Sequence, residues 1–246
     1  MSRKGKSVLL LLAGITLLSG CLSQIGLRRF ATHPEPAAGQ NEGMTLEDDG
    51  SVLFTKDRLE ISIRILDDEF LNRQFAAYSD QGAESTNPYT FGNWKPWGQD
   101  WTPQRFTVAL IKVKNYSYPK VLLDPTKMTI RTGNDREYFV LSKGLMEDYF
   151  SPYLQAYSGQ TYSTYREITD RMNRSVFRPD PIFSGQEEAG YVIFPLLHPD
   201  VEDFTVRVPE VAVRFDYKND PVETLDLEYQ FEREVYKAIN PRAASN

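Results

Sequence analysis

Cysteine and histidine are scarce in this chain of 246 residues, and their scarcity limits the chemistry available to it. Cys21 is the only cysteine, so no disulfide can form within the chain. The two histidines are His33 and His198, and the sequence contains no G-x-S-x-G, H-E-x-x-H or phosphate-loop motif. Because His33 lies in a segment that reads as a tether, a serine triad would depend on His198 alone. We interpret His198 as a turn residue beside Pro199 rather than as a general base.

Basic residues are also in the minority, with 28 Lys and Arg against 34 Asp and Glu and a formal net charge of −6. Three of the basic residues, Arg3, Lys4 and Lys6, stand at the very start of the chain. The remainder is therefore more acidic still. Since a nucleic-acid-binding protein needs a basic patch or stripe, we expect no nucleic acid among the partners.

The longest apolar run, from Val8 to Leu18, is too short for a transmembrane helix, which needs about 20 apolar residues. Basic residues precede this run, and the small residues Ser19 and Gly20 follow it. Together these are the three parts of an export signal. We therefore predict that residues 1–20 are a signal peptide that is removed during export.

Leu18, Ser19, Gly20 and Cys21 resemble the lipobox of bacterial lipoproteins. In that family the cysteine thiol receives a diacylglycerol and the chain is cut before it, so the resemblance implies a lipid-anchored protein that begins at Cys21. Several acyl chains on one residue would anchor it stably, at about 0.8 kcal/mol per buried CH₂ group. The alternative is an ordinary secretory signal in which Cys21 occurs by chance.

The residue after Cys21 is Leu22, whereas an aspartate in that place marks inner-membrane retention in enterobacterial lipoproteins. The resemblance therefore favours the outer membrane, facing the periplasm or the cell surface. Residues 21–50 contain several prolines and glycines and little apolar periodicity, which predicts a lipidated N-terminus and a flexible tether spanning roughly 30 Å. Residues 237–246 read as a C-terminal tail.

Between these ends, residues 51–236 read as a single domain built mostly of β-strands. The segment "LEISIRI" alternates apolar and polar residues, as does "TLDLEYQFERE", which is typical of half-buried strands. The segment "RFTVALIKVKN" is apolar on both faces, as a central strand would be. In "FTVRVPEVAVRF" the alternation changes phase at Pro209 and Glu210, which predicts a bulge or a turn there. The pattern predicts an antiparallel β-sandwich.

The segments "RFTVALIKVKNYS", "VLLDPTKMTIR" and "EEAGYVIFPLL" make the chain similar to the immunoglobulin-like lipoproteins of bacterial envelopes. The resemblance implies an immunoglobulin-like sandwich and supplies no catalytic residues. The inter-sheet cysteine pair of antibody domains is absent, so the likeness concerns the sandwich alone.

Two insertions, 67–104 and 142–188, do not fit the strand pattern, and both are rich in aromatic residues. Within the second, "TYREITDRMNRSVF" predicts a small helix in which Thr164 and Glu167 form a capping box. One face of that helix would be apolar. Glu167 with Arg171, and Asp170 with Arg174, would form ion pairs one turn apart.

The first insertion contains all three tryptophans of the chain. Its candidate partner-binding residues are Tyr89, Phe91, Trp94, Trp97 and Trp101. They could form a small core over the end of the sheets, or a platform for sugar rings or an apolar partner. A third possibility is a contact with the membrane interface, which Asp100 and the acidic surface disfavour. Because Pro96 and Gly98 flank it, we expect Trp97 to be the most exposed, with Trp94 and Trp101 packed inwards against Phe91 and the first strands.

Two groups of carboxylates suggest a calcium site or a glycosidase-like pair. One group follows the first long strand, and the other flanks a later turn; the residues are Asp67, Asp68 and Glu69, and Asp216, Asp220 and Glu223. Neither group has the spacing of a calcium loop, and we predict no metal, no cofactor and no catalytic residues.

Three function classes follow from the sequence. The first is a non-catalytic, lipid-anchored module that binds an envelope protein, a polysaccharide or peptidoglycan. The second is a carbohydrate-acting enzyme that uses carboxylates. The third is a passive structural lipoprotein.

Overall fold

The structure, a computed structural model, describes residues 28–156 and 161–238. The helices are α1 (Asp68–Gln74), α2 (Ala76–Ser79), α3 (Lys143–Ala156) and α4 (Thr161–Ser175). The strands are β1 (Arg28–Ala31), β2 (Glu35–Pro36), β3 (Met44–Leu46), β4 (Val52–Lys56), β5 (Leu59–Leu66), β6 (Phe106–Asn115), β7 (Lys120–Val121), β8 (Thr129–Thr132), β9 (Glu137–Phe139), β10 (Ile182–Phe183), β11 (Gln186–Pro195), β12 (Asp203–Phe215), β13 (Pro221–Glu232) and β14 (Val235–Ala238).

Two antiparallel sheets of five strands form a β-sandwich. Their strand orders are β11-β6-β5-β4-β3 and β2-β13-β12-β8-β9. The chain passes from β6 in the first sheet to β8 in the second, returns to β11 beside β6, and then enters β12 beside β8. This path reproduces the A-B-E and G-F-C strand neighbours of immunoglobulin-like domains. The prediction of a mostly β, immunoglobulin-like sandwich is therefore confirmed.

The main core lies between the two sheets and follows the alternation in the sequence. In β5, Leu59, Ile61 and Ile63 are fully buried, and in β13 Tyr229 is fully buried as well. The Tyr229 hydroxyl donates a hydrogen bond of 2.9 Å to the main-chain oxygen of Ile61 in the opposite sheet. The buried hydroxyl of Tyr229 thus has the hydrogen-bond partner that a buried polar group requires.

Strand β12 continues through the predicted irregularity without ending. Its pairing with β13 shifts register between Val208 and Val211, and Glu210 adopts a positive φ of 54°. The shift corrects the phase of the side chains, so that Val208 and Val211 are both fully buried although they are three residues apart. The prediction of a bulge at Pro209 and Glu210 is confirmed.

Strand β6 buries both of its faces. Ile111 and Val113 point into the main core, whereas Phe106 and Val108 point to the outer side of the sheet. There they form a second core, which also contains residues from β5 and β11 and from both insertions: Leu66, Leu71, Tyr89, Met146, Phe150, Ile168, Met172 and Ile193. The insertions 67–104 and 142–188 therefore cover the outer face of one sheet.

The helix α4 matches the predicted apolar face, with Ile168 and Met172 both 1% exposed. Both predicted ion pairs are present, Glu167 with Arg171 and Asp170 with Arg174. The capping box is wrong, because α4 begins at Thr161 and places Thr164 inside the helix. No helix in the described residues is long and apolar enough to span a bilayer.

The flexible tether predicted for residues 21–50 is wrong for the part that the structure describes. Strand β1 pairs with β14, β2 with the end of β13, and β3 with β4. These short strands satisfy backbone groups at sheet edges, where a proline such as Pro36 is tolerated. The first two residues of the predicted tail 237–246 belong to β14. The predicted signal peptide 1–20, Cys21 and residues 239–246 lie outside the described part.

The buried face of β13 yields a stability prediction. Phe231 is 1% exposed and stacks on Phe204 at a ring separation of 5.6 Å, whereas its neighbour Glu232 is exposed. We expect Phe231→Ala to lower the free energy of unfolding by about 3–5 kcal/mol because it leaves a cavity. Glu232→Gln, the matched control on the same strand, is expected to change it by less than about 0.5 kcal/mol. Urea denaturation measures both, and equal effects would contradict the assignment of faces.

Candidate functional site

The structure separates the five predicted aromatic site residues into a buried part and an exposed part. Tyr89 is fully buried, and Trp97 is 100% exposed. Phe91, Trp94 and Trp101 are half-buried. The first insertion therefore provides both the small core and the exposed indole that the sequence suggested, but on different residues.

Tyr89 is the centre of the buried part. Its ring lies 5.2 Å from that of Tyr191 on β11 and 5.6 Å from that of Phe75. Its hydroxyl donates to the hydroxyl oxygen of Ser175 at 2.5 Å, since Ser175 itself donates to the main-chain oxygen of Arg171. Burial raises the pKa of Tyr89, so it stays protonated. Tyr89 thus connects the first insertion to β11 and to α4.

The side chain of Asn87 and the lack of one at Gly92 fix the backbone around Tyr89. The side-chain oxygen of Asn87 accepts from the Tyr89 main-chain N–H at 2.9 Å, and its amide donates to the Ser79 hydroxyl at 2.9 Å. Gly92 has a φ of 58°, and a Cβ atom there would lie 2.3 Å from the main-chain oxygen of Ser79. Only glycine fits this close approach. The loop therefore leaves the second core in a defined direction.

Arg105 is a buried cation beneath the loop, 6% exposed. Its guanidinium carbon lies 4.7 Å from the ring centre of Phe91 and 4.6 Å from that of Phe150. The guanidinium also donates to the main-chain oxygens of Asn87 and Thr90 at 3.4 and 3.3 Å. Cation–π contacts of this kind strengthen when they are shielded from water. Arg105 thus connects the loop to the helical insertion.

Trp97 stands at the tip of a turn formed by residues 96–99. The main-chain N–H of Gln99 donates to the main-chain oxygen of Pro96 at 2.9 Å, and Gly98 has a φ of 72°. A positive φ at the third position of a β-turn favours glycine. The indole of Trp97 is displayed to solvent by this turn. We call residues 96–99 the tryptophan turn.

The two other tryptophans are half-buried on either side of the tryptophan turn; Trp94 packs on Phe91 as predicted, whereas Trp101 packs on a strand in the predicted tether rather than on the first predicted strands. The Trp94 ring lies 5.6 Å from that of Phe91. The Trp101 ring lies 5.9 Å from that of Phe30 on β1, at an interplanar angle of 84°. The chain is therefore held by ring contacts on both sides of the tryptophan turn, and one of these contacts is with the first strand of the described chain.

In each of the two predicted carboxylate groups, one residue has a local structural role. The Asp67 carboxylate accepts from the main-chain N–H of Phe70 at 2.5 Å and begins α1. Burial, together with the charge on Asp67, raises the pKa of Asp68 to about 7. In the other group, Asp216 accepts from the main-chain N–H groups of Lys218 and Asp220 within its turn. The described residues contain no group of three or more His, Cys, Asp or Glu side chains that could hold a metal ion.

His198 belongs to a polar cluster that holds the connection between β11 and β12. Its Nδ1 lies 2.6 Å from the carboxylate of Asp200. Arg136 donates two hydrogen bonds to the same carboxylate, at 2.6 and 2.8 Å. Arg136, and to a smaller extent His198, holds the pKa of Asp200 well below its usual range. The turn interpretation of His198 fits this geometry.

The described residues also form an apolar groove of about 240 Å³ between α3, α4 and β11. Its walls include Leu141, Met146, Met172, Val176 and Tyr191. The volume is below the range usual for small-molecule pockets, about 300 to 1,000 Å³. The groove is therefore small for a drug-sized ligand.

Comparisons with known proteins do not assign the chain to a family. No protein-family model matches it, and no curated protein matches it. Among solved structures, it is similar to MPT63, a secreted protein from Mycobacterium tuberculosis, with 12% identity over 69% of this chain and 90% of that chain and a TM-score of 0.30. A likeness of this size says nothing about the function of this chain.

Sequence reasoning missed two contributors to the site. Arg105 is a single charged residue directly before a strand, and no periodicity marks such a residue as buried. Phe30 lies in the segment predicted to be a tether, and neither "RRF" at its position nor "VYK" near residue 236 shows the alternation of a strand. Their pairing joins residues more than 200 positions apart, which a local pattern does not reveal.

The contrast between Tyr89 and Trp97 yields a second stability prediction. Tyr89→Ala removes a fully buried ring, and we expect it to lower the free energy of unfolding by about 3–5 kcal/mol. Trp97→Ala removes a fully exposed ring and is expected to change it by less than about 0.5 kcal/mol. Urea denaturation followed by circular dichroism measures both, and a destabilisation by Trp97→Ala as large as that by Tyr89→Ala would contradict the structure of the loop.

Proposed function

We propose that this chain is a non-catalytic, lipid-anchored protein of the bacterial envelope that acts as a binding or assembly module for an envelope partner. The observation that carries the proposal is the segment "LSGC" at residues 18–21, which follows a basic start and a short apolar run. This combination is typical of lipoprotein signals, and Leu22 after Cys21 favours the outer membrane. Lipidation would also remove the single free thiol from an oxidising compartment.

The described domain fits a module that works by contact. The acidic residues Asp67 and Asp216 bond to nearby main-chain groups, and Asp200 bonds to Arg136 and His198. The exposed indole of Trp97 is the candidate contact residue, because Trp and Tyr combine a large apolar body with one polar atom and are enriched in binding sites. Of the five predicted aromatic residues, Tyr89 is excluded from direct contact by its burial.

Lipidation at Cys21 gives the direct test. We expect the wild-type protein to sediment with membranes and to incorporate a palmitate analogue during growth. Cys21→Ser is expected to lose both properties, because no other cysteine is present to accept the diacylglycerol. Ser23→Ala, two residues away, is the matched control and is expected to behave like the wild type. A Cys21→Ser protein that is still labelled and still sediments with membranes would overturn the proposal.

A further inference from the structure

We infer that the partner of the tryptophan turn is the bilayer surface itself, into whose headgroup region the Trp97 indole inserts. The inference rests on the proposed lipid anchor at Cys21 and names the partner of the exposed aromatic site. It depends on three observations: only seven residue positions separate Cys21 from the start of β1, Trp101 beside the tryptophan turn packs on that strand, and exposed basic residues lie on it.

The distance from the anchor to the fold is short. The first described strand, β1, begins at Arg28, seven residues after Cys21. Seven residues span at most about 25 Å even when fully extended. If Cys21 carries the acyl chains, the start of β1 is held within that distance of the membrane. The tether of residues 21–50 expected from sequence would have allowed the domain to stand well clear of it.

The tryptophan turn is connected to this same strand. Phe30 of β1 packs against Trp101 and stacks on Tyr236 of β14, both at ring separations of 5.9 Å. Trp101 follows the tryptophan turn by two residues, so the position of Trp97 is coupled to the strand nearest the anchor. The indole of a tryptophan suits the interface between headgroups and acyl chains, where its apolar body and its N–H group are both accommodated.

Charge at this end of the molecule favours anionic headgroups. Arg28, Arg29 and Lys237 are exposed on the ribbon of β1 and β14, and Arg29 lies directly opposite Lys237 in the register. Like charges in opposite positions repel one another, and a bound anion would relieve that repulsion. Basic residues close to a bilayer are attracted by anionic lipids. Within the ribbon the charged side chains are basic, whereas the exposed Glu234 borders it beside Thr32.

Asp100 was the residue that disfavoured a membrane contact at the level of sequence. In the structure its carboxylate forms an ion pair with Lys95 at 2.8 Å. Asp100 therefore has a basic partner beside the tryptophan turn.

The molecule contains a natural counterpart that lacks these features. Tyr217 is 90% exposed in the turn that precedes β13. The ribbon of β1 and β14 lies at the other end of β13, because β14 follows that strand in the chain. A strand of 12 residues is about 40 Å long. The turn around Tyr217 contains Asp216 and Asp220. An exposed aromatic side chain alone therefore does not define the proposed contact.

The test uses the lipidated protein that begins at Cys21, reconstituted into vesicles of phosphatidylethanolamine and phosphatidylglycerol, with and without brominated acyl chains. We expect brominated lipid to quench part of the wild-type tryptophan fluorescence, because bromine quenches only indoles within the bilayer. That quenched part is expected to be absent in Trp97→Phe and to remain in the matched control Trp94→Phe. Tyr217→Phe is expected to leave it unchanged, and vesicles of phosphatidylcholine are expected to give less quenching.

Mass spectrometry of the same preparations separates the two proposals. Absence of an acyl group on Cys21 would refute the lipid anchor. An acylated protein whose Trp97 fluorescence is quenched by acrylamide in solution but not by brominated lipid would overturn the membrane contact and leave the anchor intact. Quenching by brominated lipid that persists in Trp97→Phe would also overturn it. The membrane contact would also be overturned if isolated peptidoglycan or polysaccharide shielded Trp97 from acrylamide while brominated lipid did not quench it. That result would assign the tryptophan turn to the polysaccharide or peptidoglycan partner.

Discussion

The need to bury both faces of β6 determines how the rest of this protein is arranged. One face of the strand completes the core between the two sheets, as in any β-sandwich. The other face carries Phe106 and Val108, which would form an apolar patch on the outside of the sheet if nothing covered them. Both insertions lie over this face. The sandwich therefore depends on the insertions to bury its outer apolar face, and the insertions depend on that face for their own core.

The second core also explains how an exposed tryptophan is held in place. Tyr89 and Arg105 connect the first insertion to the helical insertion and to β11, and Gly92 sets the direction in which the loop leaves the core. From there the loop extends to Phe30 and displays Trp97 between two packed neighbours. Ordering of the backbone on both sides of the tryptophan turn reduces the entropy that the loop would lose on binding, although the Trp97 side chain itself is unrestrained.

The sequence predicted those parts of the fold in which local pattern and tertiary environment agree. Strands β5 and β13 alternate cleanly because one face of each meets the core, and the change of phase at Pro209 and Glu210 was visible for the same reason. The exposure of Trp97 followed from its neighbours Pro96 and Gly98. The strands at residues 28–46 were missed because their order depends on partners near the far end of the chain or on the edge of a sheet. Burial of Arg105 was missed because it depends on aromatic rings from another segment.

The most direct test of this account is to follow urea unfolding by two signals in the wild-type protein. All three tryptophans lie in residues 94–101, so their fluorescence reports on the first insertion, whereas circular dichroism in the far ultraviolet reports chiefly on the sheets. If the insertions and the sandwich depend on each other through the second core, the two transitions coincide at one urea concentration. A fluorescence transition that is complete before the sheets unfold would contradict the account, because the insertion would then be an independent appendage.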